Sequence, residues 1–128
     1  MTDLSGVDLI YDWNVKGETP HYPKRVMVVD ETLRDGLQSP SVTHPSIQDK
    51  VYLLYLMRCL EVDAADLGLC GAGERFKKDV TVLAKEIVNQ KMPIVPQSAA
   101  RTLESDIAPI VDASQEAGIA IEACVFLG

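Results

Sequence analysis

The residues best equipped for chemistry are crowded into Asp30-Glu31-Thr32-Leu33-Arg34-Asp35-Gly36-Leu37-Gln38. This stretch follows the apolar run Val26-Met27-Val28-Val29, which reads as a short buried strand near Arg25 to Asp30. Carboxylates, a guanidinium and an amide are thereby placed where a strand ends. In parallel α/β folds ligands bind outside the carboxyl ends of the strands, so such a cluster says more there than on a helix face. Asp35 is a hard oxygen donor, and Arg34 is a permanent cation whose donors are fixed in a plane. Two further charged residues end later apolar segments, Asp66 after Val62-Asp63-Ala64-Ala65 and Arg101 after Ser98-Ala99-Ala100.

Read with its strand, D-E-T-L-R-D-G-L-Q carries the pattern T-L-R-D-G-x-Q complete. It resembles the first signature of the metal-dependent Claisen-type barrel enzymes: 2-isopropylmalate, homocitrate and citramalate synthases and 3-hydroxy-3-methylglutaryl-CoA lyase. The similarity runs from about Lys24 to the C-terminus and includes Ser98-Ala99-Ala100-Arg101. It implies that Asp35 is a ligand to a divalent metal (Mg²⁺, Mn²⁺ or Zn²⁺), where the residues alone also allow a turn aspartate at the Gly36 bend. It implies that Arg34 lies against the carbonyl oxygen that becomes negative as a carbon-carbon bond forms or breaks, the alternative being a salt bridge to Asp30 or Asp66. Gln38 would contact substrate or hold the signature loop. Asp66 would line the pocket or be exposed, and Arg101 would bind a substrate carboxylate or be structural. Asp30 is expected to orient Arg34; Glu31 is either a supporting partner or solvent-facing. The family completes its metal site with a His-x-His pair from a later strand. His21 and His44 are far apart and outside that arrangement, so neither is read as a ligand.

The elements that must position these groups follow in order. Residues 1–23 mix Gly, Pro and polar residues with Val7, Leu9, Ile10 and Trp13, an irregular lead-in with a brief strand around Asp8 to Asp12 and Trp13 as a packing anchor. Residues 24–128 form the second region. After the Pro- and Ser-rich loop 39–45, Ser46 with Asp49 is a capping-box variant, and Ile47, Val51, Leu54 and Met57 predict a helix to about Leu60. Val62 to Leu69 reads as a second strand. Glu74 to Asn89 reads as a helix with Phe76, Val80, Leu83 and Ile87 on one face. Met92 to Ser98 is a third strand weakened by two prolines. Thr102 is the expected cap of a third helix, with Ile107, Ile110 and Val111 inward and Gly118 just past its end. Ile119 to Leu127 is a fourth strand.

The order β-α-β-α-β-α-β predicts an α/β fold of parallel (β/α) units. Given the resemblance, that is the N-terminal half of an eight-stranded (β/α) barrel, with unpaired edges on the first and fourth strands. The chain is therefore expected to pair with another copy, as a homodimer or larger, or to be part of a longer polypeptide. A net charge of -7 disfavours nucleic acid and anionic membrane. Cys59, Cys70 and Cys124 make neither a C-x-x-C pair nor a disulfide framework, and a reducing cytoplasm fits them. No signal peptide or membrane span is readable. Gly68 to Gly73 is not G-x-G-x-x-G, and no G-x-S-x-G or Walker loop occurs. The resemblance implies an acyltransferase condensing acetyl-CoA with a 2-oxo acid, the chain alone being inactive. Alternatives are the reverse, lyase-type cleavage and a non-catalytic module that self-associates.

Overall fold

The computed structural model describes residues 23–127. The expected lead-in, its brief strand, Trp13 and His21 lie outside the described residues. Four parallel strands, β1 (Val29–Asp30), β2 (Ala64–Asp66), β3 (Val95–Arg101) and β4 (Glu122–Phe126), hydrogen-bond in the order β1-β2-β3-β4. Helices α1 (Ile47–Cys59), α2 (Glu74–Asn89) and α3 (Glu104–Ala117) make the crossovers. Sequential order with right-handed crossovers puts all three helices on one face. The result is an open partial (β/α) barrel whose sheet is not closed. Among the described residues no helix is long and apolar enough to cross a membrane.

Helix α1 starts where the capping box puts it: Ser46 Oγ accepts the Asp49 N–H, and the Asp49 carboxylate accepts the Ser46 N–H. Helix α2 has the expected span, and its Val80, Leu83, Ala84 and Ile87 share one buried core with Ala65 and Ala100 of the sheet and with Leu67 just after β2. At the end of α3, Gly118 takes φ +72°, the left-handed conformation that glycine adopts without strain.

Several expectations need correction. The run Val26 to Val29 is exposed, from 70% down to 45%, and only Val29 and Asp30 pair as strand. Ahead of the pairing, Asp63 holds the run: its Oδ2 accepts the Val28 N–H at 2.9 Å while Oδ1 takes Arg25 at 2.6 Å. A side chain thus stands in for the ladder, and β1 remains an edge strand. Strand β2 is shorter than expected, although Leu67 N–H still donates to the Gln97 carbonyl and Ala99 N–H to the Gly68 carbonyl; the Gly68 N–H bonds back to the Asp66 carboxylate. Strand β3 begins and ends three residues later than expected. Pro96 is tolerated in it because the β4 ladder starts only at Gln97 opposite Glu122, so the missing donor faces no partner.

Thr102 does not cap α3. Leu103 occupies that position, and Asp106 in the first turn reaches back to the Arg101 N–H. Val111 is exposed while Asp106, Ile110, Ala113 and Ala117 face inward. Strand β4 is exposed along its whole length, having no helix over it and no strand beyond it among the described residues.

Candidate functional site

The loop after β1 winds into a single 3-10 turn at Gly36–Gln38, with the Arg34 and Gly36 N–H groups both donating to the Glu31 carbonyl. That turn aims Arg34 across the strand ends. Its Nη1 lies 2.8 Å from Asp35 Oδ1 and 3.8 Å from Glu31 Oε2, and its Nε lies 3.7 Å from Asp66 Oδ2. The guanidinium also lies over the Phe126 ring, 5.7 Å from its centre, within cation-π range. Phe126 is on β4, three strand spacings from β1, or roughly 14 Å in a flat sheet. Arg34 thus reaches over the carboxyl ends of the sheet from the loop after β1.

Asp66 is almost fully buried, and burial pushes its carboxyl above the ordinary carboxylate range; the Gly68 N–H and the Arg34 cation oppose that shift without cancelling it. Arg34 Nε is buried and has no hydrogen-bond partner among the described residues, since 3.7 Å to Asp66 is too long for one. A permanent cation clamped on several sides, its side chain still 19% exposed, can receive an oxygen acceptor only through the part of the guanidinium that is not buried.

The other candidate residues divide around this centre. Asp35 is exposed and bonded to Arg34, and Glu31 is its second, longer partner. Asp30 does not hold Arg34; its Oδ1 accepts the Thr32 N–H at 2.8 Å and so shapes the loop. Gln38, at the end of the 3-10 turn, lines a cavity beside Arg34. Arg101 is committed elsewhere. Its Nε and Nη2 make a two-pronged contact with Asp106 at 2.7 and 2.9 Å, and this pairing raises the arginine's pKa while holding the buried Asp106 carboxyl below its usual range. Gly71 packs on that carboxylate so closely that a Cβ would come within 2.8 Å of Asp106 Cγ.

Sequence reasoning missed four participants. Lys50 is buried in the α1 stripe and pairs with Asp79 at 2.7 Å; a lysine at the i, i+4, i+7 face shared with Leu54 and Met57 was the available signal. Phe126, Asp63 and Asp106 carry no such local mark. His44 lies in the loop, as expected, with its ring 5.9 Å from that of Phe76. Cys70 is buried, which pushes its thiol up, with Ser98 Oγ at 3.5 Å from the sulfur.

A divalent cation takes about six oxygen or nitrogen ligands, several of them from protein. Among the described residues no three His, Cys, Asp or Glu side chains converge in that way. Asp35 is a single donor, already bonded to a cation. The described residues thus do not fit a complete metal centre.

The chain is thus of the α/β class, with parallel strands and an arginine-carboxylate cluster at their carboxyl ends, the end at which such folds bind ligands. The sequence narrows it. The chain is 33% identical over 94 residues to the 2-isopropylmalate synthase of Bacillus cytotoxicus, a match covering 73% of this chain and 18% of that enzyme. It is 34% identical over 84 residues to the 2-isopropylmalate synthase of Aquifex aeolicus, covering 66% and 15%. With that of Synechococcus it shares 31% over 93 residues, covering 73% and 17%. No family model matches. The chain is thus a distant relative of 2-isopropylmalate synthases and spans less than a fifth of the length of these curated relatives.

Proposed function

We propose that this chain supplies the arginine-carboxylate portion of an acyltransferase site, one that condenses acetyl-CoA with a 2-oxo acid in the manner of 2-isopropylmalate synthase. The observation that carries the reading is Arg34, a permanent cation clamped between Asp35, Asp66 and Phe126 at the strand ends. Attack on a ketone places negative charge on its oxygen, and a guanidinium already fixed at the strand ends stabilises that charge without reorganising. Asp66, desolvated and near Nε, sets the guanidinium's tilt; Gln38 would offer an amide to the acid's polar end. Asp35 is the donor this chain would offer a divalent metal. Because the described residues do not complete such a site, no step is derived through one, and the 128 residues alone are expected not to turn over. Lyase-type cleavage of a hydroxyacyl-CoA would use the same arginine in reverse.

The test is a hybrid enzyme in which the matched 94 residues of the Bacillus cytotoxicus synthase are exchanged for those of this chain. Thiol release from acetyl-CoA with a panel of 2-oxo acids is expected, together with its loss in Arg34→Met. A hybrid that cleaves hydroxyacyl-CoA but does not condense would point to the lyase direction. An Arg34→Met hybrid as active as its parent would contradict the proposal.

A further inference from the structure

Beside Arg34, the strand-end loops and the first two turns of α1 and α2 enclose a cavity of about 360 Å³. Its walls are mainly apolar, with Leu33, Leu37, Leu67, Leu69 and Phe76 contributing. Set into them is Lys50, a charged side chain only 4% exposed. Burying an ammonium is costly unless its donors are used. Lys50 Nζ meets Asp79 Oδ2 at 2.7 Å, its single hydrogen-bond partner among the described residues, and an ammonium has three donors. Two remain for whatever occupies the cavity. Among the lining side chains Arg34 and Lys50 are cations and Asp79 is the one carboxylate; Arg34 is already held by Asp35, Glu31 and Asp66 from outside the lining, so Lys50 carries the spare donors.

We infer that this cavity is a binding site for a small aliphatic monocarboxylate, whose carboxylate is received by Lys50 Nζ and whose hydrocarbon body lies against Leu33, Leu37 and Phe76. The two spare donors of one ammonium suit a single carboxylate better than a phosphate dianion, whose second charge no free cation among the described lining residues would balance. The leucine walls reward a hydrocarbon chain, and the volume is at the lower end of small-molecule sites. Recognition through the carboxylate alone needs neither a 2-oxo group nor a metal. The inference therefore does not rest on acyl transfer, and either reading can fail without the other.

The experiment is an NMR titration of the full chain with hexanoate, following Leu37, Phe76 and His44, with hexan-1-ol and hexylamine as controls. Hexanoate is expected to saturate these shifts, with both controls at least about tenfold weaker, about 1.4 kcal/mol. Lys50→Met should abolish the preference for hexanoate over the alcohol while the alcohol still binds, which shows the cavity intact. Leu37→Trp, which fills the cavity from its edge, should abolish both and serves if the Lys50 variant does not fold. Hexan-1-ol binding as tightly as hexanoate, shifts lying away from these residues, or Leu37→Trp binding as the parent does would each overturn the inference. So would 4-methylpentanoate failing to bind where its 2-oxo counterpart succeeds, a result that would leave the acyl-transfer reading standing.

Discussion

The Lys50–Asp79 pair offers an asymmetric prediction, because its two partners are buried to different depths. The Lys50 side chain is 4% exposed and that of Asp79 19%, so removing one partner strands the other in unequal surroundings. Breaking a buried pair from one side costs about 3 to 5 kcal/mol when the surviving charge cannot reach water. Asp79→Ala leaves the ammonium in that position and should cost about 3 kcal/mol. Lys50→Met leaves a carboxylate that can hydrate at the cavity mouth, and the methionine keeps most of the lysine stem's packing, so about 1 to 2 kcal/mol is expected. The double variant Lys50→Met/Asp79→Leu exchanges the pair for apolar contacts between α1 and α2 and should lie within about 1 kcal/mol of the parent. For a chain whose total stability is on the order of 10 kcal/mol, these differences are well resolved by urea midpoints at constant m-value. If Lys50→Met costs as much as Asp79→Ala, or the single losses simply add in the double variant, the pair is not the buried, coupled unit inferred from its geometry.

Gly71→Ala should destabilise by about 1 to 3 kcal/mol, because its Cβ would meet Asp106 Cγ at 2.8 Å and Cα at 3.0 Å, and Arg101 pins that carboxylate; an unchanged urea midpoint would refute the close packing. Asp66 has its carboxyl raised by burial, so the folded state holds its proton more tightly than the unfolded chain does. The group therefore costs stability that appears as pH rises through the window between the unfolded and folded values. Asp66→Asn should accordingly raise the melting temperature by several degrees at pH 7 and by little at pH 3, and a larger gain in acid would reverse the assignment. The exposed edges, with Val26 and Met27 at one side and Val125, Phe126 and Leu127 at the other, should drive pairing with a second copy; light scattering is expected to show a dimer or larger, and a stable monomer would count against it.

How much of this was legible in the sequence follows the range of the interactions involved. Helices α1 and α2 were readable because their caps and apolar spacing are local: Ser46 with Asp49, and Val80, Leu83 and Ile87 on one face. Strand ends were less so, since they depend on partners far along the chain. Asp63, 35 residues after Val28, holds the run ahead of β1, and the starting register of β4 decides that Pro96 is harmless. The same holds in the site. The strand-end position of Arg34 and Asp35 could be read from a nine-residue motif, whereas Asp106 as the partner of Arg101 and Phe126 as the platform under Arg34 are set by packing across elements. Asp30 was expected to hold Arg34 because it is near in sequence. Its carboxylate has a closer donor two residues on, the Thr32 N–H, and a short local bond of that kind wins over a longer reach.

The central claim is that the Arg34 guanidinium, held from several sides at the strand ends, meets a substrate oxygen. The most direct measurement is the Arg34 Nε–H resonance, assigned by its loss in Arg34→Lys and followed as a 2-oxo acid is added to the chain carrying Lys50→Met, which removes the competing cation of the cavity that Arg34 also lines. A saturable shift, weak but absent when the matching plain carboxylate is added, is the expected result. A resonance indifferent to the 2-oxo acid, or one exchanging with water as fast as an exposed arginine's, would contradict the account.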